Sequence, residues 1–351
     1  MQQSIIGWDI GGAHIKAVVL EPNGMFSQIR QTPCPLWKGI DYLNQSIKQI
    51  LSEFPLGEYL HVITMTGELV DLFESRDQGV EKIIQVMQSV LSEQLLLIYA
   101  GIDGFLKPDQ IKTHHYNSIA SANWLASASL VASKLSNGLF IDIGSTTTDI
   151  LVLSDHEVKA IGLTDFERMR SDELVYTGII RTAVMAVAQS ANFQGQKMGL
   201  MAEYFATMAD VYRLTEELNE NHDQTDTADG AEKSVAASAK RLSRMTGYEY
   251  TEEKLFLWKQ FAQEIKSQQK DKIKRACERQ LSRCVISNKD YFIGAGVGRF
   301  LVKQIAEELG YPYLDFTDCL KSNHQDLVLS IADCAPAASV AMLVFLQMET
   351  Q

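Results

Sequence analysis

The chain is short of several things that would settle its class at once. It has five cysteines in 351 residues, an odd number, and none pair at zinc-finger spacing. Cys277 and Cys284 fall on one expected helix about two turns, roughly 10 Å, apart. That is too far for a disulfide, so reduced thiols and a cytoplasmic location are expected. Positive charge is scarce: 32 Lys and Arg stand against 44 Asp and Glu, a net charge of −12. Such a chain has little to attract nucleic-acid phosphates, and its most basic stretch, 266–283, reads as one solvated helix face. No apolar run approaches about 18 residues, so no membrane span is expected. No basic segment followed by an apolar run opens the chain, and residues 4–10 read as a strand rather than a signal peptide. What is abundant is apolar material, 46%, enough for the cores of two or three domain-sized units.

Residues 5–10, 15–20 and 25–31 are apolar runs, with a turn at Glu21-Pro22-Asn23-Gly24, and predict an antiparallel meander. Helical period follows over 40–53 and 80–91, with strands over 59–65 and 95–99. Residues 117–135, rich in Ala and Ser, predict a closely packed helix. The layout then restarts. Strands over 139–143, 148–153 and 157–161 predict a second meander, a weak internal duplication of architecture. Helices are expected over 167–191, 199–219, 234–246, 251–286 and 299–310, with a last helix over 337–347. Met201, Tyr204, Phe205 and Met208 read as core. The acidic stretch 220–232 reads as a solvated loop.

Three motifs carry chemistry. In Asp9-Ile10-Gly11-Gly12-Ala13-His14-Ile15-Lys16, paired glycines let backbone N–H groups approach an anion. Asp9 at the strand end can hold Mg²⁺ through water, and Lys16 adds a point charge. In Asp142-Ile143-Gly144-Ser145-Thr146-Thr147-Thr148-Asp149 the same opening is followed by hydroxyls that can ring a phosphate. Asp142 can serve the metal, and Asp149 a ligand hydroxyl, a water or a base. Gly294-Ala295-Gly296-Val297-Gly298, between a strand and a helix, can support a nucleotide or a diphosphate. Its late position, after a long helical stretch, counts against a dinucleotide site.

In order and spacing these motifs resemble the superfamily of actin, the Hsp70 ATPase domain, sugar kinases and the hydantoinase/oxoprolinase proteins. The resemblance spans nearly the whole chain. It implies an α/β fold of two RNase H-like lobes about a central cleft: lobe I over 1–135, lobe II over 136–335, and a C-terminal helix over 336–351 packing back on lobe I. A narrower resemblance is to the hydantoinase-like proteins linked to one-carbon transfer on tetrahydromethanopterin. It rests on residues 8–16, 66–69, 142–149 and the segment Asn117-Ser118-Ile119-Ala120-Ser121-Ala122-Asn123-Trp124. One departure is His14, where a small polar residue such as Asn is expected.

That narrower resemblance implies a methanofuran or methylofuran biosynthesis synthase. Such an enzyme condenses an aminomethylfuranyl-methyl diphosphate with the phenol of tyramine or glutamyl-tyramine, forming an ether and releasing diphosphate. The implied cofactor is Mg²⁺, on Asp9 and Asp142. Gly11, Gly12, Lys16, Gly144, Ser145, Thr146 and Thr147 are the expected phosphate contacts, with Gly294 and Gly296 behind them. Glu68, Asp149 and His14 are candidate bases in no order. Asn117 and Asn123 are candidates for substrate contact or plain packing, and Arg168, Arg170 and Arg181 for an anionic substrate or a solvated surface. The expected partners are small molecules, with neither nucleic acid nor membrane, and homo-oligomerisation stays open. A kinase or ATPase of the same fold, a nucleotide-binding scaffold, and a hydantoin or oxoproline hydrolase are the competing readings.

Overall fold

The computed structural model describes residues 3–92, 94–320 and 329–349. Residues 1, 2, 93, 321–328, 350 and 351, which the expected lobes and last helix include, lie outside the described residues. The chain divides into two compact units, one of residues 1–137, 153–159 and 315–351, the other of 138–152 and 160–314.

In the first unit, β1 (Ser4–Ile10), β2 (His14–Leu20) and β3 (Phe26–Pro33) form the expected antiparallel meander. α1 (Ile40–Glu53), β4 (Tyr59–Met65), α2 (Arg76–Leu91), β5 (Leu95–Tyr99) and β6 (Phe105–Leu106) follow, giving a sheet of order β3-β2-β1-β4-β5-β6. β1 and β4 pair in parallel and are buried almost throughout, which is why they read as continuous apolar runs rather than alternating ones. The single helix expected over 117–135 is two, α3 (Tyr116–Ile119) and α4 (Asn123–Lys134). They part at Ser121, whose φ of 52° is left-handed and cannot continue a helix.

In the second unit, β7 (Gly138–Ile143) and β8 (Thr148–Ser154) repeat the opening hairpin. The expected third strand, 157–161, is replaced by two short pieces on β8: β9 (Glu157–Val158) at one end and, after α5 (Asp165–Ser171), β10 (Leu174–Val175) at the other. The cause is Glu173, whose buried carboxylate accepts from the N–H groups of Ile161 and Gly162 and bends the chain inward. The helix expected over 167–191 therefore ends at Ser171. Beyond Asp172 (φ 58°) the apolar residues Leu174, Val175, Ile179 and Ile180 are buried in strand and turn rather than along a helical stripe.

Next come α6 (Val184–Val187), the hairpin of β11 (Ser190–Phe193) and β12 (Gln196–Gly199), and α7 (Met208–Leu214). Of the helix expected over 199–219, only these seven residues are helical. Backbone bonds from Val184 to Ala206 and from Met208 to Thr182 pin the segment elsewhere. Met208 is core as expected, whereas Met201 and Tyr204 are exposed and Phe205 is half-buried. The acidic stretch is a loop as expected, with one turn of 3-10 helix, but only part of it is solvated. Arg213 donates to Glu220 and Asp223, and Arg241 to Asp210 and Asp229, and both guanidiniums are buried. α8 (Val235–Arg244), the long α9 (Leu255–Leu281), β13 (Tyr291–Ala295), α10 (Arg299–Leu309) and β14 (Tyr313–Asp315) complete the order β10-β8-β7-β13-β14. Cys284 lies past the end of α9, so it does not share a helix with Cys277.

The last helix, α11 (Ala335–Glu349), belongs to the first unit and packs on β1 and α4. The approach is so close that a Cβ on Gly7 would lie 2.0 Å from the Ala337 carbonyl oxygen. The second unit thus ends at 314 rather than 335. Ile331–Glu349 is one helical stretch long and apolar enough to cross a membrane by length and composition, contrary to the reading of the apolar runs. Most of it is buried, and it is the core helix of its unit.

Candidate functional site

Each unit ends its central strand in the same hairpin. In the first, the Gly11 N–H donates to the His14 carbonyl at 3.0 Å; in the second, Gly144 donates to Thr147 at 2.9 Å. In each, the isoleucine carbonyl is covered by the next parallel strand's exit: Thr66 N–H to Ile10 O at 3.0 Å, Gly298 N–H to Ile143 O at 2.8 Å. Asp9 and Asp142 close their strands in equivalent registers, opposite Thr64 of β4 and Ala295 of β13, and both are at least nine-tenths buried.

Around the first hairpin the backbone is crowded. A Cβ on Gly11 would sit 2.8 Å from His14 O, and one on Gly12 2.7 Å from Val70 Cγ1. His14 is half-buried at the start of β2. Lys16 donates to the Asp333 carbonyl at 2.7 Å, so its ammonium also ties the hairpin to the entry of α11. Gly67 lies against Ile10 and Gly11 and brings in Glu68. That carboxylate is 1% exposed. It accepts from the Ser121 hydroxyl at 2.7 Å and stands 3.7 Å from the Arg76 guanidinium. Glu68 is therefore turned into the protein, a poor posture for a base. Asn117 is exposed on α3, and no hydrogen bond ties it to this hairpin among the described residues. Asn123 caps its neighbour's N–H at the start of α4.

The second hairpin is wrapped. Ile179 donates to Gly144 O, and Ile180 and Arg181 both donate to Ser145 O. These bonds cover carbonyls that would repel an anion, while the loop's hydroxyls remain. Gly178 allows the wrap, since a Cβ there would lie 2.4 Å from Thr146 N. Gln269 of α9 holds the wrap from behind through Thr177 and Gly178. The exposed Arg181 reaches the Thr146 hydroxyl at 3.4 Å, so of the three arginines it is the one placed at the turn of this hairpin. Arg170 stacks on Phe166 instead. The buried Ser145 Oγ has no hydrogen-bond partner among the described residues. The glycine turn stands directly beside Asp142: Gly296 (φ 78°) would put a Cβ 2.3 Å from Asp142 Oδ1, and Gly294 abuts the Tyr313 ring.

Asp149 is at the far end of the hairpin and faces Arg168, which is 1% exposed and donates to it at 2.7 Å. Arg168 is thus no solvated helix residue. Burial pushes the Asp149 carboxyl upward, partly opposed by the Arg168 charge. Sequence reasoning missed Arg76, Ser121 as a partner of Glu68, and the pairing of Arg168. Partners lying 8 to 53 positions away along the chain leave no local signal.

Neither loop builds a metal cage from protein alone, since among the described residues no three His, Cys, Asp or Glu side chains converge. A single strand-end carboxylate with hydroxyls nearby suits a hard cation that keeps most of its waters and takes phosphate oxygens, as Mg²⁺ does.

The hydantoinase/oxoprolinase family model matches residues 60–322. The chain belongs to that family. An enzyme of Methanocaldococcus jannaschii, (4-{4-[2-(gamma-L-glutamylamino)ethyl]phenoxymethyl}furan-2-yl)methanamine synthase, is 33% identical over 247 residues, 70% of this chain and 72% of the relative. The protein of the same name from Methanococcus vannielii is 32% identical over 109 residues, 31% of this chain and 49% of that one. A nucleotide-free structure of acetone carboxylase superposes at a TM-score of 0.59 with 9% identity, covering 97% of this chain and 70% of that one. At that identity the likeness is one of fold. This hydantoinase/oxoprolinase chain thus has an α/β fold that it shares with acetone carboxylase.

Proposed function

We propose that the protein is a synthase that joins an aminomethylfuranyl-methyl diphosphate to the phenol of tyramine or its γ-glutamyl derivative. The phenolic oxygen forms a bond to the furanylmethyl carbon, the C–O bond to diphosphate breaks, and the phenolic proton passes to a base. The observation that carries this reading is the pair of Asp-Ile-Gly hairpins with matching hydrogen bonds, in a chain 33% identical to the archaeal synthase.

The furan ring stabilises positive charge at the reacting carbon, so the barrier lies mainly in the leaving anion, and fixed N–H and hydroxyl donors lower it. The Gly12 N–H and the Lys16 ammonium in one hairpin and the Ser145, Thr146 and Thr147 hydroxyls in the other would supply those donors, with Arg181 beside the second, while the Gly11 and Gly144 N–H groups hold their own hairpins closed. Asp9 of the first hairpin and Asp142 of the second are the residues that would hold Mg²⁺, which would supply neutralisation of the charge developing on the leaving phosphate. Glu68 and Asp149 both face arginines, so the phenolic proton, at a pKa of about 10, is assigned to His14. The five cysteines are free thiols, in keeping with a cytoplasmic enzyme.

The test is a diphosphate-release assay with the furanyl diphosphate, Mg²⁺ and γ-glutamyl-tyramine, beside an ATP-only control. Ether and diphosphate should form without ATP, and Asp142→Asn should slow the reaction about 100-fold or more. Silence there, with ADP or phosphate released in the control, would overturn the synthase in favour of a kinase or ATPase.

A further inference from the structure

Asp9 stands in a row of three polar residues across the end of the first sheet. Its partner on β2 is Lys16 and its partner on β4 is Thr64. Directly paired residues of neighbouring strands point to one face of a sheet, so the three side chains share a face. It is the face on which Gly7, two residues before Asp9, meets Ala337 and Ala341 of α11. Lys16 donates there to the Asp333 carbonyl. The Thr66 N–H, two residues past Thr64, donates to the Ile10 carbonyl. The exit of β4 is therefore fastened to the hairpin that Asp9 opens.

Thr64 is fully buried, and its hydroxyl has no hydrogen-bond partner among the described residues. A buried hydroxyl left in that state is costly, so it calls for a reason. The hairpin itself does not supply one. At the equivalent register of the second unit, opposite Asp142, stands the equally buried Ala295, and the hairpin there closes with the same hydrogen bonds. The Cβ atoms of directly paired residues lie roughly 5 Å apart. Turning the Thr64 side chain from one staggered position to another can therefore carry its hydroxyl to the neighbouring carboxylate. We propose that Thr64 is a positioning residue for Asp9: its hydroxyl donates to one carboxylate oxygen of Asp9 when the other faces a hydrated divalent cation. A carboxylate held on one side presents its other oxygen to the cation's water in a set direction. The inference rests on Asp9 as a holder of Mg²⁺ and adds the residue that orients it. With an alanine at the matching place, Asp142 has no such orienting residue at that register, so the two carboxylates are not equivalent.

The experiment is titration calorimetry of Mg²⁺ into the full chain with inorganic diphosphate present, together with thermal melts in the absence of Mg²⁺. Wild type is compared with Thr64→Val, Thr64→Ala, Thr64→Ser and Asp9→Asn. Losing a hydrogen bond to a metal-holding carboxylate should weaken Mg²⁺ about tenfold in Thr64→Val and Thr64→Ala. Thr64→Ser keeps the hydroxyl and should bind close to wild type. Without Mg²⁺, Thr64→Val should melt at or above the wild-type temperature, because a methyl replaces an unpartnered hydroxyl. If the valine variant fails to fold, Thr64→Ala, the residue that the second unit carries at this place, gives the same comparison. Unchanged Mg²⁺ affinity in Thr64→Val or Thr64→Ala, with Asp9→Asn weakened, overturns the positioning role alone. So does a Thr64→Ser variant as weak as Thr64→Val, which would assign the loss to packing. A Thr64→Val melt clearly below wild type would show the hydroxyl partnered before the cation arrives, and it too overturns the role. Wild-type protein that takes up no Mg²⁺, or binds it equally well as Asp9→Asn, overturns the Asp9 reading and the positioning role together.

Discussion

The two hairpins share a backbone and differ in what lies behind it. In the first unit the strand pair β1–β4 carries a polar core. Trp8 Nε1 donates to His61 Nδ1 at 3.1 Å, and His61 Nε2 meets Gln94 Oε1 at 2.8 Å. At the equivalent registers of β7 and β13 stand Ile141 and Phe292, both fully buried. In the second unit the polar bonds lie instead over the loop, as the 177–182 wrap, and at its far end, as the Asp149–Arg168 pair. The exits also differ: Thr66 follows Thr64 by two residues, whereas Gly298 follows Ala295 by three, with Gly296 taking up the extra residue at a positive φ. One hairpin geometry can thus be held from beneath by hydrogen-bonded rings or from above by a strap, because it asks only that its carbonyls be covered.

The largest test of this contrast is Arg168→Ala, which leaves Asp149 buried without its cation. A loss of about 4 kcal/mol is expected in denaturant unfolding, and removing both charges in Arg168→Met/Asp149→Leu should recover most of it. Next is Gly178→Ala. The added methyl meets the backbone of Ser145 and Thr146, and about 3 kcal/mol should be lost, together with diphosphate binding. An unchanged Tm would show that the wrap yields and does not hold the loop.

The first unit should respond to pH instead. Burial lowers the His61 pKa from 6.5 to about 4, with Gln94 opposing. The unfolded chain binds the proton more readily, so stability is complete above pH about 6.5 and falls as pH drops towards 4. The loss is about 3 kcal/mol over that window, and His61→Gln should flatten it. If the wild-type profile is already flat there, the ring is not held neutral. The smallest effect is Ser145→Ala. Its Oγ has no hydrogen-bond partner among the described residues, so stability should move by less than about 0.5 kcal/mol. Diphosphate affinity should still fall about tenfold.

Strands whose faces are both buried, and helices with a clear 3.6-residue stripe such as α1 and α10, were legible along the chain because their signal is local. The stretch 167–219 was not. Its apolar residues serve a wrap, two short helices and a hairpin, so their spacing imitates a helix that the backbone never forms. Arg168 looked like a surface residue for a related reason: nothing within a helical turn of it reveals that Asp149, 19 residues earlier, will face it.

By itself, the order of residues determined the two Asp-Ile-Gly hairpins, the parallel strands beside them and the family, since glycine, aspartate and β-branched runs act through neighbouring backbone. Only the tertiary structure decided the state of each charge. It buried Glu68, drew Lys16 towards the entry of α11, and paired Asp149 with Arg168. Burial and long-range pairing set the cost and direction of an ionised group, and neither is written in its immediate neighbours.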